Sequence, residues 1–199
     1  MIVLEPRTIV VATRNNGKMR EFRSLLAFSG LSILSLNDIG LDRDLKETGE
    51  SFAQNARQKA IACSAHTDLP VLADDSGLEV FALDGRPGIY SARYAGEGAT
   101  DDQRIRKLLD ELAGNERDRS ARFVCALALA RRAELLLETE GECRGQIARS
   151  PRGSNGFGYD PIFYFPELDK TYAELSEEEK NRHSHRARAV SAFRAQLNS

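Results

Sequence analysis

A polar turn follows the first apolar run of the chain and carries three side chains that could bind an anion. The β-branched residues 8–13 end at an Arg-Asn-Asn-Gly turn, after which apolar residues recur at helical spacing. Thr13, Asn15 and Lys18 combine a hydroxyl, an amide and an ammonium with the free N–H groups of a helix start, which suits phosphate. The turn lacks the G-x-x-x-x-G-K-[ST] pattern, so a Walker-type NTPase is poorly supported. A capped helix with a solvated lysine is the alternative.

Two adjacent carboxylates, Asp74 and Asp75, follow a second apolar run at residues 71–73. Such a pair at a strand end cannot be buried without a cation or hydrogen-bond donors, so one carboxylate could bind Mg²⁺ and the other could orient water. An acidic Asx turn without chemistry is the alternative. The pattern predicts that the acids interrupt the strand, which resumes over residues 78–83.

A glycine-rich segment offers a surface for a planar group. Residues 150–160 read SPRGSNGFGYD and place Phe157 and Tyr159 beside glycines. Glycine allows close backbone approach and aromatic rings provide stacking surfaces, so a planar base would fit here. A plain turn at a strand edge can have the same composition.

The last predicted helix concentrates hydrogen-bond donors. Ser176 and Glu179 form a capping-box pattern, and the sequence predicts one helix from there to about Leu197. The donors on this helix are Lys180, Ser184, His185 and Arg186. A solvated charged helix face is the alternative.

Length and charge limit the possible classes of function. The chain has 199 residues, 41% of them hydrophobic, and a formal net charge of -2 from 28 Lys+Arg and 30 Asp+Glu. These values predict a single domain over residues 1–199 with one substantial core, in which two lobes are possible. The near-neutral balance argues against a nucleic-acid partner. No apolar run approaches the roughly 20 residues of a transmembrane helix, so we expect no membrane partner.

The N-terminal segment and the cysteines predict a cytoplasmic protein. The first residues lack a long apolar stretch followed by a small-residue cleavage site. Cys63, Cys125 and Cys143 lie far apart without C-x-x-C spacing. We therefore expect buried, reduced thiols with no metal or disulfide role.

The elements that position these residues alternate along the chain and predict an α/β fold. Strands are predicted at residues 8–13, 31–36, 71–83, 121–130, 133–140 and 161–164. Helices are predicted after Gly17 and over residues 50–66, 100–112 and 176–197. The Ala and Leu content of residues 121–140 also permits a helix there.

Seven segments, in this order, resemble the non-canonical purine nucleoside triphosphate pyrophosphatases, also called inosine triphosphate pyrophosphatases or the Ham1-like family. Any one of the segments is weak evidence, but the set is specific. The segments are TRNNGK at 13–18, ESFAQNARQKA at 50–60, ADDSGL at 73–78, PGIYSARYAG at 87–96, GFGYDPIF at 156–163, KTYAEL at 170–175 and EEKNRHSHR at 178–186.

The resemblance implies a fold, a reaction and an assembly. The fold is α/β, with a central mixed sheet in two lobes flanked by helices and the active-site cleft between the lobes. The reaction is hydrolysis of ITP, dITP, XTP or dXTP to the monophosphate and pyrophosphate with Mg²⁺, which cleanses the nucleotide pool. The assembly is a homodimer, and our guess for part of its contact is residues 87–96.

The resemblance also implies roles for individual residues. Asp75 looks like the general base and a metal ligand, and Asp74 its supporting neighbour. Family members often carry two acids before a Thr-Gly pair, but this chain has Lys46 followed by Glu47, which leaves Glu47 as the second candidate metal ligand. The implied substrate-binding residues are Thr13, Arg14, Asn15, Asn16, Gly17, Lys18, Lys59, Ser76, Phe157, Gly158, Tyr159, Asp160, Lys180, His185 and Arg186.

Base choice has a physical argument of its own. Arg186 carries only donors, so it can satisfy the 6-keto oxygen of hypoxanthine or xanthine, whereas adenine presents an amino group there. Adenine should be disfavoured by about 1–3 kcal/mol. This assignment rests on the position of His185 and Arg186 just inside the final helix, opposite in sequence to the phosphate-binding turn, where a base would lie if the nucleotide spans the cleft.

Two other functions remain open at this stage. A pyrophosphatase of similar fold could act on modified pyrimidine or methylated nucleotides. A nucleotide-binding regulator without catalysis is the second possibility, although a sensor has no use for a water-orienting carboxylate.

Overall fold

Seven β-strands form one mixed sheet in the computed structural model, which describes residues 7–27, 30–41, 48–113 and 118–197. The strands are β1 (Thr8–Ala12), β2 (Ser32–Ser35), β3 (Val71–Val80), β4 (Ser120–Arg131), β5 (Glu134–Ile147), β6 (Phe163–Phe165) and β7 (Lys170–Thr171). The helices are α1 (Asn16–Leu26), α2 (Phe52–Ser64), α3 (Asp101–Glu111), α4 (Glu177–His183) and α5 (His185–Leu197). The predicted α/β class with a central mixed sheet is confirmed.

Strand direction changes along the sheet order β2-β1-β3-β4-β5-β6-β7. β1 pairs in parallel with both β2 and β3, whereas β6 pairs antiparallel with β5 and with β7. The run of Ile9 to Ala12 in β1 is buried and apolar throughout, which is typical of a parallel strand covered on both faces. This burial explains why β1 lacks the alternating pattern of a half-exposed strand.

The predicted interruption of the third strand is wrong. β3 runs without a break from Val71 to Val80 and includes both acids, Asp74 and Asp75. The local sequence Asp-Asp-Ser-Gly is typical of a turn, but both carboxylates receive partners from α1 and α2, described below. Because these partners compensate the buried charge, the backbone can stay extended.

The predicted single helix at the C-terminal end is also wrong, because it is divided at Ser184. This residue is buried and extended, with φ -66 and ψ 157. Its N–H still donates to the carbonyl of Lys180 and closes α4, while α5 begins at the next residue. Serine commonly takes such an extended conformation just before a helix. The predicted capping box is confirmed, since Ser176 and Glu179 exchange side-chain to backbone hydrogen bonds.

Smaller differences concern strand boundaries. The predicted pair of strands around Arg132 is confirmed against the helical alternative, but β5 extends to Ile147. The predicted strand at residues 161–164 begins later, because Asp160–Ile162 forms a 3₁₀ turn before β6.

The three cysteines are free and buried, as predicted. Burial is the main cause that raises the pKa of Cys125 to about 12, so its thiol stays protonated at neutral pH.

The chain divides into two compact units, each with its own core. Unit 1 comprises Met1–Asp75, Cys125–Gly141 and His185–Ser199, and its core includes Phe22 and Phe193. Unit 2 comprises Ser76–Val124 and Glu142–Ser184, and its core includes Phe163 and Tyr172.

Gly141 lets α5 pack directly on β5 within unit 1. A Cβ at Gly141 would lie 2.3 Å from the backbone nitrogen of Ala189 and 2.4 Å from the carbonyl oxygen of His185. Nearby, the hydroxyl of Thr139 donates to the carbonyl of Ala189 at 3.1 Å. Backbone atoms cannot move aside as a flexible side chain can, so this glycine determines how closely the start of α5 approaches the sheet.

Candidate active site

The turn after β1 forms the capped helix start that the sequence predicts. Asn15 is the N-cap of α1, and its Oδ1 accepts a hydrogen bond from the backbone N–H of Lys18 at 3.0 Å. The N–H of Asn15 in turn donates to the hydroxyl of Thr13 at 3.2 Å. The first turn of α1 contains no acidic residue, so its positive end is not neutralised locally. Arg14, Asn15 and Asn16 are exposed, and Gly17 is half-buried.

Lys18 is held by a carboxylate and is not a solvated lysine. Its Nζ lies 2.8 Å from Oδ2 of Asp74, and its side chain is 16% exposed. Lys59 of α2 donates from Nζ to the backbone oxygen of Asp74 at 3.0 Å. The structure therefore brings together two lysines that the family resemblance implies as substrate-binding residues.

Arg186 completes this group of charges from α5. Its Nη2 lies 3.6 Å from Oδ2 of Asp74, and its Nη1 donates to Oε2 of Glu21. All three side chains are buried. Burial alone would raise the pKa of Asp74, but the charges of Lys18, Arg186 and Lys59 outweigh it and hold that pKa far below its ordinary value. Asp74 is therefore ionised throughout the physiological pH range.

The low pKa of Asp74 makes this residue a source of acid sensitivity. Because its folded pKa lies below its unfolded value near 4, its ionised form stabilises the fold above about pH 4, and this contribution is lost as the pH falls further. Replacing Asp74 with Asn should cost about 3–5 kcal/mol at pH 7, since Lys18 and Arg186 lose their shared partner.

The difference in unfolding free energy between wild type and Asp74→Asn should narrow by about 1 kcal/mol between pH 5 and pH 3. Urea denaturation at several pH values measures it. A difference that stays constant over this range would contradict the ionised state of Asp74.

Asp75 is oriented by an amide that the sequence analysis did not single out. Its Oδ2 accepts from Nδ2 of Asn55 at 2.9 Å, while Oδ1 of Asn55 accepts from the N–H of Gly49 at 2.8 Å. Because a backbone N–H can only donate, it fixes the orientation of the amide and presents the NH₂ group to Asp75. Asn55 precedes Lys59 by one turn on α2, and this shared helix face was the available sequence signal.

Asp75 carries carboxylate oxygens, the ligand type that a hard cation prefers. Mg²⁺ binds to one or two protein carboxylates and completes its shell with water and phosphate oxygens. Within the described ranges, no group of three or more His, Cys, Asp or Glu residues forms a cage for a metal. Asp75 supplies one carboxylate, and Glu47, the other candidate, lies outside the described residues.

Unit 2 holds a second buried ion pair, next to an aromatic ring. Nζ of Lys180 lies 2.5 Å from Oδ2 of Asp160, and both side chains are buried. The same oxygen accepts from the backbone N–H of Phe157 at 2.9 Å. Nζ of Lys180 also lies 5.0 Å from the ring centre of half-buried Phe157. These predicted residues therefore form one cluster, together with half-buried Gly158.

Tyr159 is part of the core and not a stacking surface, contrary to the prediction. Its side chain is 4% exposed, and its hydroxyl donates to the carbonyl of Ser91 at 3.0 Å. Satisfying the hydroxyl allows the ring to be buried among apolar residues. Ser76, another predicted substrate contact, is half-buried and is the first residue of unit 2.

His185 and Arg186 lie in the same unit as the predicted phosphate-binding turn. Both are buried in unit 1, and Arg186 contacts the same carboxylate as Lys18. The break at Ser184 ends α4, which carries Lys180, before the chain reaches His185. Lys180 and Arg186 consequently belong to different units.

Gly156 should tolerate substitution much less well than Gly158. Both have positive φ, 77 and 63, but a Cβ at Gly156 would lie 2.0 Å from Oδ2 of Asp160, whereas nothing lies within 4 Å at Gly158. Gly158→Ala should cost only the backbone strain of about 1–2 kcal/mol, and Gly156→Ala should cost more because it displaces the carboxylate that holds Lys180. Chemical denaturation of both variants checks the order, and equal losses would contradict it.

Comparison with known proteins identifies the relatives of this chain. The Ham1 family matches residues 9–196. A dITP/XTP pyrophosphatase of Geobacillus kaustophilus is 54% identical over 185 residues, which cover 92% of this chain and 91% of that protein. A protein of the same name from Desulfotalea psychrophila is 51% identical over 188 residues, covering 94% of this chain and 84% of that protein.

Solved structures agree with the sequence match. The HAM1 protein of Coxiella burnetii has a TM-score of 0.87 and 44% identity, covering 96% of this chain and 98% of its own. The Ham1 protein of Staphylococcus aureus has a TM-score of 0.85 and 46% identity, with the same coverage of both chains. This chain belongs to the Ham1 family.

Proposed function

We propose that this chain hydrolyses non-canonical purine nucleoside triphosphates, ITP or dITP and XTP or dXTP, to the monophosphate and pyrophosphate. The observation that carries the proposal is the arrangement around Asp74 and Asp75. Lys18 and Lys59 both contact Asp74, and the next carboxylate is oriented by Asn55. Relatives about half identical to this chain are named dITP/XTP pyrophosphatases, which supports the same substrate class.

In unit 1, the N-terminal end of α1 with Thr13, Lys18 and Lys59 binds the phosphates. Each ammonium has three donor hydrogens, so a lysine held by Asp74 can still donate to a phosphate oxygen. Positive charge at this position stabilises the negative charge that develops as the leaving oxygen departs. Among the other turn residues, Arg14, Asn15, Asn16 and Gly17 provide further side-chain and backbone donors.

Asp75 acts as the general base. Water attacks the α-phosphorus, its proton passes to the carboxylate of Asp75, and the bond from the α-phosphorus to the α–β bridging oxygen breaks to release pyrophosphate. No covalent enzyme intermediate is needed. Asn55 keeps the carboxylate in place by donating to Oδ2.

Asp75 and Glu47 would hold Mg²⁺. When bound, the ion would neutralise phosphate charge and draw the triphosphate toward the carboxylates. The carboxylate oxygens of Asp75 are the ligand type that Mg²⁺ prefers.

In unit 2, Phe157 stacks on the base, and Lys180 and Asp160 provide a donor and an acceptor for its edge. The other substrate contacts that we propose in unit 2 are Gly158, Ser76 and the backbone of Tyr159. The half-buried ring of Phe157, beside the ammonium of Lys180, supports the stacking role.

Base selection by Arg186 and His185 is a separate proposal. A guanidinium has five N–H donors, so contacts with Glu21 and Asp74 do not by themselves prevent donation to a 6-keto oxygen. If Arg186 selects the base, Arg186→Ala should reduce the ratio of kcat/KM for ITP over ATP by about 10–150-fold. Equal losses of kcat/KM on ITP and ATP would instead assign Arg186 to phosphate binding.

A panel of nucleoside triphosphates, with pyrophosphate detection and with or without Mg²⁺, tests the proposed function. We expect pyrophosphate from ITP, dITP and XTP, little from ATP, and strong dependence on Mg²⁺. Preference for modified pyrimidine or methylated nucleotides would support a neighbouring specificity. Tight triphosphate binding without turnover in Mg²⁺ would support a regulator and overturn the proposal.

We also propose that the chain is a cytoplasmic homodimer that binds neither nucleic acid nor membrane. Within the described ranges, we find no helix with the length and apolar character needed to cross a bilayer. The segment at residues 87–96, which carries the exposed Tyr90, is the part of the surface that we propose for the contact. Light scattering at micromolar concentration should give about twice 22.1 kDa, and a monomer mass would contradict the dimer.

A further inference from the structure

The first residue of α3 holds the backbone of the glycine-rich segment. Oδ2 of Asp101 accepts from the N–H of Gly158 at 2.6 Å, across 57 residues of sequence. Its other carboxylate oxygen contacts Arg104, whose Nη1 donates to the carbonyl of Ala92 at 2.6 Å. Asp101 is therefore fixed at both oxygens, and all these residues belong to unit 2.

Two carboxylates hold the two peptide groups on either side of Phe157. The N–H of Phe157 donates to Asp160, and the N–H of Gly158 donates to Asp101. Each peptide group is planar, so holding both N–H groups fixes the φ and ψ of Phe157. Those two angles determine the direction in which the side chain leaves the backbone.

We propose that Asp101 is a positioning residue for base recognition, which acts by orienting the ring of Phe157. This inference rests on the proposed function, in which that ring stacks on the purine. The bond from Gly158 to Asp101 is charge-assisted, and such bonds are stronger than neutral ones. Neither the motif pattern nor the helix-start signal of the sequence connects Asp101 with the glycine-rich segment.

A merely structural role for Asp101 would come from its position in the first turn of α3. An acid there stabilises a helix through the helix dipole. Asp102 lies in the same turn and is exposed, and in the described part of the chain it makes no hydrogen bond to the glycine-rich segment. Asp102→Ala is therefore the matched control, because it removes the same charge at the helix start and leaves the contact with Gly158.

The test compares binding of inosine monophosphate with binding of inorganic pyrophosphate by calorimetry, in the full chain. Asp101→Ala should weaken the binding of inosine monophosphate about tenfold, within the range of a lost stacking contact, and leave pyrophosphate binding within about twofold. Asp101→Asn keeps an acceptor oxygen and should restore most of the affinity. Asp102→Ala should leave the binding of both ligands unchanged.

Three results would overturn the inference. The first is equal binding by Asp101→Ala and Asp102→Ala, and the second is a parallel loss of inosine monophosphate and pyrophosphate. The third is a full tenfold effect of Asp101→Ala in a Phe157→Ala background, because that effect could not pass through the ring. Failure of the wild type to bind inosine monophosphate and to hydrolyse ITP would instead overturn the proposed function, and the inference with it.

Discussion

Asp75→Asn is expected to lower kcat on ITP by about 10²–10⁴-fold while leaving the fold intact. The amide has the shape of the carboxylate, and its oxygen can still accept the hydrogen bond from Asn55. It cannot take a proton from water, and it is a neutral ligand in place of an anionic one. The substitution therefore removes the proposed base and the anionic charge of the proposed metal ligand, but it preserves the packing around the strand.

The measurement is steady-state turnover together with the unfolding free energy. Asp68→Asn is the matched control, because this aspartate has a side chain that is 84% exposed and its surface contact is with Arg132. We expect the control to retain wild-type turnover. Near-wild-type kcat for Asp75→Asn would remove Asp75 from the mechanism, whereas a large loss of stability would show that the loss of activity is not specific.

Arg186→Ala should reduce the free energy of unfolding by about 3–5 kcal/mol. Arg186 is 1% exposed and lies between the buried carboxylates of Glu21 and Asp74. Removing the guanidinium leaves Glu21 as a buried charge without this partner, and it deprives Asp74 of one of its compensating cations. Loss of a partner from a buried ion pair is among the most costly substitutions in a folded protein.

Urea denaturation measures this loss of unfolding free energy. Two further variants show whether it comes from the buried ion pair. Arg194 is exposed on the same helix, so Arg194→Ala should change the unfolding free energy by less than about 0.5 kcal/mol. Adding Glu21→Gln to Arg186→Ala should recover part of the loss, because the uncompensated carboxylate becomes neutral. If the double variant loses as much unfolding free energy as the two single variants together, the coupling between Glu21 and Arg186 is contradicted.

Local signals in the sequence were sufficient to predict the helix starts and the polar turn after β1. The N-cap Asn15 and the capping box at Ser176 depend on contacts within a few residues, and β1 is predicted from its own apolar, β-branched run. Lys18 and Lys59 are 41 residues apart, and their grouping came from the family resemblance and not from a local pattern.

The incorrect predictions concern segments whose local conformation depends on residues distant in the sequence. β3 stays extended through its acids because Lys18 and Asn55 compensate them, and Asn55 lies 20 residues away from Asp75. The division of the last helix at Ser184 goes with burial of that residue, and no local pattern predicts this burial. The contacts of Asn55 with Asp75 and of Asp101 with Gly158 could not be predicted for the same reason, since the partners are remote in sequence.

The charges clustered around Asp74 also bear on how a nucleotide would first approach the protein. The cationic side chains are Lys18, Lys59 and Arg186, and the anionic ones are Asp74, Asp75 and Glu21. Their formal charges cancel, and opposite charges packed this closely produce a field that falls off within a short distance. The cluster therefore gives little long-range attraction to a polyanion. We expect the association rate of the nucleotide to depend only weakly on ionic strength, with recognition beginning at contact distance.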